Sequence, residues 1–137
     1  MKLTAMKVNS RAIEAGEWVD NLPEMGDLEL HVRGLGNSEY RAHYAKIVEA
    51  LPRADKIDGR PTPEAAERVV VECIVETILL GWRGVEDDTG APVPFSKDQA
   101  RALLTDPDFR PFRDAVSLAA SRVADSRAAD VEVASKN

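Results

Sequence analysis

Cysteine and histidine are scarce in this chain, and their scarcity excludes most metal and nucleophile chemistry. Cys73 is the single cysteine, so no disulfide and no multi-cysteine metal site can form within one chain. Its apolar neighbours predict a thiol with a raised pKa and little reactivity. The two histidines, His31 and His43, lack the Glu-x-x-His spacing of helical metal sites. We therefore expect no metal and no cofactor.

Positive charge and long apolar runs are also lacking. Eighteen Lys and Arg against 24 Asp and Glu leave a net charge of −6, which opposes binding to nucleic-acid phosphates or to an anionic membrane. The longest apolar stretch contains Glu72 and Glu76 and falls short of the roughly 20 residues that a bilayer requires. Residues 1–7 lack the apolar core of a signal peptide. We expect no nucleic-acid or membrane partner, and a protein that stays in the cytoplasm where it is made.

Two short motifs suggest catalysis, but neither has the surroundings that catalysis needs. Asp88-Thr89-Gly90 spells the triplet of aspartic proteases, whose paired loops require apolar strands around them. Here the triplet lies in a polar segment before Pro92, which predicts a solvated hairpin turn. Gly34 and Gly36 lack the third glycine and the Lys-Ser/Thr of a phosphate loop. No nucleophile lies beside a base, so we expect no enzymatic activity.

The N-terminal part of the chain predicts a small sheet. Residues 1–12 show no clear period, and residues 1–14 are predicted to form an N-terminal arm. Residues 15–36 predict an antiparallel β-hairpin, with strands at residues 17–19 and 28–33. In the second strand the even-numbered residues are apolar and the odd-numbered ones polar, so one face is expected to be buried.

Helix start signals follow along the rest of the chain. The N-cap residues are Asn37 or Ser38, Thr62 before Pro63, Ser96 with Gln99 three positions on, and Asp106 before Pro107. They predict helices at about 37–51, 63–82, 96–104 and 107–127. Residues 53–62 are predicted to form a mobile loop, and residues 128–137 a flexible C-terminal tail.

These elements predict one globular domain over residues 15–127, mainly α with a small N-terminal β-hairpin. The helix at 63–82 is apolar around most of its circumference, so it is expected at the centre of a compact helical bundle. Its polar stripe predicts that Glu72 and Glu76 either pair with Arg68 or line a groove. A cap over the core is predicted from most of the aromatic residues Trp82, Phe95, Phe109 and Phe112, with Trp82 buried, while a few of them could instead be exposed anchors for a partner.

The order of motifs in the chain resembles that of a known family. A Gly-rich phrase at residues 32–41 leads the first helix, an apolar segment closes on residues 78–85, and the turn at 88–96 precedes the last two helices. This order resembles the tail assembly chaperones of long-tailed bacteriophages (siphophages) and related prophages. The likeness covers about residues 15–137 and depends most on residues 81–95.

The resemblance implies a non-catalytic protein that coats the phage tape measure protein and keeps it soluble until tail tube subunits polymerise around it. In many members a frameshifted, longer product recruits the major tail tube protein, and the polar tail here would suit such a joint. The resemblance also implies action in the host cytoplasm and absence from the mature virion. Whether the chain forms a homo-oligomer stays open.

Reversible binding of amphipathic client helices to an apolar groove is the mechanism we expect. The later helices carry more apolar surface than five short helices would cover by themselves. The residues predicted to contact the partner are Val70, Ile74, Ile78, Trp82, Val116, Ala120 and Val123.

Two alternatives stay open from the sequence. One is a small phage structural joint or tail-completion subunit that is retained in the virion. The other is a small host regulatory or antitoxin-like binding module, although the acidic charge argues against its usual DNA-binding form.

Overall fold

The structure is a computed structural model that describes residues 1–127. Within them, the α-helices are α1 Ser10–Ala15, α2 Ser38–Ala50, α3 Pro63–Thr77, α4 Lys97–Thr105 and α5 Arg110–Asp125. The strands are β1 Glu17–Val19, β2 Glu29–Val32, β3 Lys56–Ile57, β4 Arg60–Pro61 and β5 Leu79–Arg83. Short 3₁₀ turns occupy Leu3–Met6, Arg53–Asp55 and Pro107–Phe109. The predicted flexible tail, residues 128–137, lies outside the described residues.

Three strands form an antiparallel sheet in the order β1, β2, β5. The two strands predicted at residues 15–36 pair with Trp18 opposite His31. β5 pairs with the other edge of β2, and Leu30 lies opposite Trp82. The alternation in β2 follows the prediction, since Leu30 and Val32 are fully buried. The inner face of the sheet therefore supplies part of the core.

The predicted helix at 63–82 is wrong beyond Thr77. α3 ends at that residue, where Ile78 takes φ −121° and ψ −62°, and the chain continues as β5. A run that is apolar on every side fits a buried helix or a strand equally well. The open edge of β2 decides between them, because pairing there gives the backbone of Leu79–Arg83 hydrogen-bond partners and buries Leu79 and Trp82.

The prediction of a mainly α, compact helical bundle is therefore wrong. The protein has a mixed α+β fold in which α5 lies against β1 and β2, and α3 lies against β5, α2 and α4. The core fills the space between the sheet and these helices, and includes Val69, Val75, Val116 and Val123. The three-stranded sheet covers one side of the two long helices, α3 and α5. In a helical bundle, further helices would cover that side.

Helix starts agree well with the capping signals. Asn37, Thr62 and Ser96 each accept backbone hydrogen bonds at the starts of α2, α3 and α4, as predicted. Asp106 caps the 3₁₀ turn that follows it rather than α5. α5 consequently begins at Arg110, three residues after the predicted start.

The aromatic cap over the core forms only in part. Trp82 is 6% exposed, which confirms its predicted burial. Its ring meets Phe95 and Phe112 edge-on, with centroids 5.0 and 5.8 Å away, and its Nε1–H donates to the carbonyl of Val93 at 2.8 Å. Phe109 is 45% exposed, so it is the member of this set that fits the alternative of an exposed aromatic.

Arg33 was expected on the solvated face of the second strand, yet it is 9% exposed. Its Nε donates to the carbonyl of Glu14 at 2.6 Å, and its guanidinium pairs with the carboxylates of Glu14 and Glu39. α1 supplies Glu14, so this helix covers the arginine where the sequence predicts only an arm. Ala12 of α1 is buried in the core.

The segment predicted as a mobile loop, residues 53–62, is structured. After the 3₁₀ turn, β3 and β4 form a hairpin joined by Asp58 and Gly59, whose φ values are 53° and 78°. Two successive positive φ values are typical of the type I′ turn that closes two-residue hairpins. The Thr62 N–H donates to the carbonyl of Asp55 at 2.8 Å, which anchors the hairpin to the start of α3.

The outer face of the sheet carries an exposed aromatic stack. Trp18 and His31 stack with centroids 4.9 Å apart, and the Arg83 guanidinium lies 3.7 Å from the Trp18 ring. A Cβ built on Gly81 would lie 3.8 Å from the Trp18 ring. This is an ordinary van der Waals distance, so the indole lies across the sheet directly beside Gly81.

Candidate functional site

The residues predicted to contact a partner are brought together, but inside the core. Ile74, Ile78 and Trp82 are at most 6% exposed. On α5, the predicted residues are at most 2% exposed, namely Val116, Ala120 and Val123. Val70 is half-buried and packs against the same core. In this fold a partner reaches these side chains only if the core opens, so their role in binding stays a prediction.

An apolar groove of about 430 Å³ opens instead between α2, α3 and α4, and we call it the helical groove. Aliphatic side chains form its floor, namely Ile47, Leu51, Val69, Val71 and Leu104. Ile47 and Leu51 are half-buried, whereas the other three are buried. On α2 the first two are four positions apart, so they share one face of the helix. Ile47 and Leu51 therefore supply the apolar surface of this groove that a partner can reach.

Ion pairs surround this apolar floor. Arg101 on α4 binds the Glu72 carboxylate through two nitrogens, with Nη2 to Oε1 at 3.0 Å, and also pairs with Asp98 at 2.9 Å. Arg113 pairs with Glu67 at 2.7 Å. The hydrogen bonds to Glu72 raise the pKa of Arg101, so the guanidinium stays charged. The acids on this rim are paired with arginines.

Glu72 and Glu76 of the polar stripe were predicted either to pair with Arg68 or to line a groove. The pairing with Arg68 does not form, whereas Glu72 lines the helical groove. Glu72 binds Arg101, and Glu76 accepts a hydrogen bond from Lys97 at 2.9 Å. That hydrogen bond lowers the pKa of Glu76. Arg68 turns instead to Asp55 at 3.1 Å. The stripe thus fastens α3 to α4 and to the hairpin segment, an arrangement that helix periodicity alone does not reveal.

The helical groove is mostly apolar, with polar groups at its rim. Its lining residues offer aliphatic carbons, paired charges and the hydroxyl of Thr105.

Burial raises the pKa of Cys73 to about 11, as its apolar neighbours predict, so this thiol is protonated at neutral pH. Within residues 1–127, no three His, Cys, Asp or Glu side chains are grouped as a metal site. No helix in that part of the chain has the length and hydropathy to cross a membrane.

Sequence reasoning missed the groove residues as a group. Ile47, Leu51 and Leu104 each stand at helical spacing in the sequence, which predicts that they face inward. Which of them stay uncovered depends on where α2 and α4 lie relative to α3. The sequence does not show which helices pack against each other. It therefore indicated these residues only through their apolar periodicity.

The family of the chain follows from comparison with known proteins. Residues 35–137 match the family model described as YdaY prophage protein. The match covers most of the chain and includes every residue that lines the helical groove. The protein belongs to the YdaY prophage protein family, and is a prophage-associated protein. No curated protein and no solved structure matches the chain.

Proposed function

We propose that this prophage protein is a tail assembly chaperone that binds the tape measure protein and keeps it soluble for tail tube polymerisation. Its role is non-catalytic, it acts in the host cytoplasm, and it is absent from the mature virion. Membership of a prophage family supports a role in the phage cycle. The motif order at residues 81–95 supports the tail assembly role in particular.

The observation that carries the proposal is the helical groove, where Ile47 and Leu51 leave apolar surface accessible above a buried aliphatic floor. An amphipathic helix recognises such a groove by placing its apolar residues against the floor. Each leucine-sized side chain buried there contributes about 1.5–3 kcal/mol. A few such residues give binding that is firm enough to prevent client aggregation and weak enough to be reversed.

The charged rim suits reversible binding. The pairs Arg101–Glu72, Arg101–Asp98 and Arg113–Glu67 involve partly exposed side chains. Exposed pairs of this kind contribute roughly 0–1 kcal/mol each. They therefore rearrange at small cost to meet charges on the polar face of a client helix. In this proposal the tail tube protein is recruited only through a frameshifted, longer product.

Co-expression with the tape measure protein encoded by the same prophage tests the proposal. We expect the client to stay soluble and to co-purify with the wild-type chain. Ile47→Lys places a charge on the groove floor and should leave the client insoluble. Ala45→Lys adds the same charge at an exposed position of α2, and should behave as the wild type. Equal client solubility with and without the chain would refute the proposal.

Mass spectrometry of purified phage particles separates this proposal from a virion component. A chaperone is released before the particle is complete, so its peptides should be absent. Stoichiometric amounts in particles would instead indicate a structural joint or tail-completion subunit.

A further inference from the structure

A second groove, of about 480 Å³, lies at another surface and shares no lining residue with the helical groove. It runs between the approach to β2, the turn after β5 and the segment before α5. Its apolar lining consists of Met25, Leu28, Val85, Val93, Leu103, Phe109 and Phe112. We call it the acidic groove, for the reason that follows.

The rim of this groove carries charge of one sign. Glu86, Asp87 and Asp88 line it, and among its described lining residues there is no Lys, Arg or His. Within residues 1–127 neither Glu86 nor Asp88 takes part in an ion pair. Arg110 follows Phe109 in sequence but lines a separate cleft with Arg113. Among the described residues, the acidic side chains of this rim therefore lack the arginine partners that pair with the acids of the helical groove.

The acidic rim is held in place by the turn that carries it. The Val93 N–H donates to the carbonyl of Val85 at 2.8 Å, and the Asp87 N–H donates to the carbonyl of Ala91 at 2.9 Å. The Asp87 carboxylate accepts from the hydroxyl of Thr89 and from two backbone N–H groups of the turn. A carboxylate set in a closed hairpin loses little freedom on binding, so the rim is preorganised.

The apolar part of the groove includes an exposed aromatic ring. Phe109 is 45% exposed, while its neighbour in the groove, Phe112, is 8% exposed. Met25, Val85 and Leu103 are half-buried beside them. Exposed aromatic side chains next to a cavity are typical anchors of protein interfaces.

We propose that the acidic groove binds a basic, amphipathic segment of a partner protein, one with Lys or Arg beside large apolar residues. Charge complementarity identifies this occupant, because three carboxylates without a cation attract positive side chains and repel phosphates. A second copy of this chain fits poorly, since it has a net charge of −6. The inference is independent of client binding at the helical groove.

Two synthetic amphipathic peptides with the same leucine pattern test this inference. One has lysines on its polar face and the other has glutamates. Titration of the full-length, ¹⁵N-labelled protein should show the lysine peptide shifting the amides of Val85, Asp88, Leu103 and Phe109. Its affinity should exceed that of the glutamate peptide about tenfold in low salt, because several weak exposed charge pairs add. High salt should remove most of the difference.

Matched variants assign the preference to the rim. Glu86→Gln with Asp88→Asn should reduce lysine-peptide affinity nearly to that for the glutamate peptide. Glu49→Gln with Asp58→Asn makes the same charge change at exposed sites outside the groove and should have little effect. Ile47→Lys, which disables the helical groove, should leave this binding intact.

Three results would overturn the inference. They are equal affinity for the two peptides, amide shifts confined to other surfaces, and shifts of the acidic groove with protein concentration alone. The last of these would identify a second copy of the chain as the occupant. None of these results concerns the solubility of the tape measure protein. Failure of the acidic-groove inference can therefore be distinguished from failure of the chaperone proposal.

Discussion

The side-chain amide of Asn37 donates a hydrogen bond to the backbone carbonyl of Thr77, with an N···O distance of 3.0 Å. The same amide nitrogen donates to the carbonyl of Gly34, while the amide oxygen accepts from the first turn of α2. One buried side chain thus starts α2 and satisfies the carbonyl at the end of α3. These contacts fix the point where α3 gives way to β5.

Asn37→Ala should destabilise the protein by roughly 2–4 kcal/mol, because it removes a helix cap and leaves the carbonyl of Thr77 without its donor. Ser96→Ala removes a cap alone, and should reduce the free energy of unfolding by about 0.5–2 kcal/mol. Urea unfolding followed by far-UV circular dichroism measures both. Equal losses would show that the bonds of Asn37 to Gly34 and Thr77 add nothing.

Gly84→Ala should be far more damaging than Gly90→Ala. Both glycines have positive φ, 79° and 86°, but a Cβ on Gly84 would lie 2.4 Å from the carbonyl oxygen of Asp27, whereas Gly90 faces open space. The backbone strain common to both is about 1–2 kcal/mol. Thermal unfolding should show this modest loss for Gly90→Ala and a much larger one for Gly84→Ala. Similar melting temperatures would contradict the close approach of Gly84 to Asp27.

Acidification should weaken the contact between α1 and α2. Hydrogen bonds from the Ser38 hydroxyl and N–H, together with Arg33, lower the pKa of Glu14 from its ordinary value of 4.5. A carboxyl whose pKa is lowered by folding stabilises the fold above its unfolded pKa, and this contribution disappears as the pH falls through the folded pKa. The loss therefore begins below about pH 4.5.

The Ser38→Ala variant checks this assignment. Removing the hydroxyl should raise the pKa of Glu14 towards its ordinary value, as measured by NMR titration of its carboxyl carbon. Ser117→Ala, at an exposed serine of α5, should leave that pKa unchanged. An unchanged Glu14 in Ser38→Ala would remove the serine as the cause.

Iodide should distinguish the two tryptophans. Trp18 is 44% exposed and Trp82 is 6% exposed, so quenching of the wild-type protein should come almost entirely from Trp18. In Trp18→Phe the remaining emission should be blue-shifted and resist iodide. Strong quenching of that variant would mean that Trp82 is accessible in solution.

Local chemistry accounts for what the sequence predicted well. The caps at Asn37, Thr62 and Ser96 depend on side chains within three residues of the groups they bind, so the sequence contains all the information needed. The burial of Trp82 likewise follows from its apolar surroundings. The alternation of β2 needs only a period of two.

Long-range pairing accounts for what was missed. Residues 78–82 are apolar on all sides, and only the free edge of β2 makes them a strand. The same sheet then buries the side chains predicted to bind a partner, such as Ile78. Arg33 was expected in water because Glu14, with which it pairs, belongs to the segment predicted as an N-terminal arm. The two grooves lie in gaps between helices and strands. The spacing of residues in the sequence does not predict where such gaps form.

The pairing of β2 with β5 also determines which parts of the chain can be separated. The family match begins at residue 35, after β2, whereas β5 lies within it. A fragment that starts at residue 35 would contain the helices that line both grooves. It would lack β2, the strand that covers Leu79 and Trp82. The region shared with the family is therefore shorter than the unit that folds, and expression boundaries for biophysical work belong before α1.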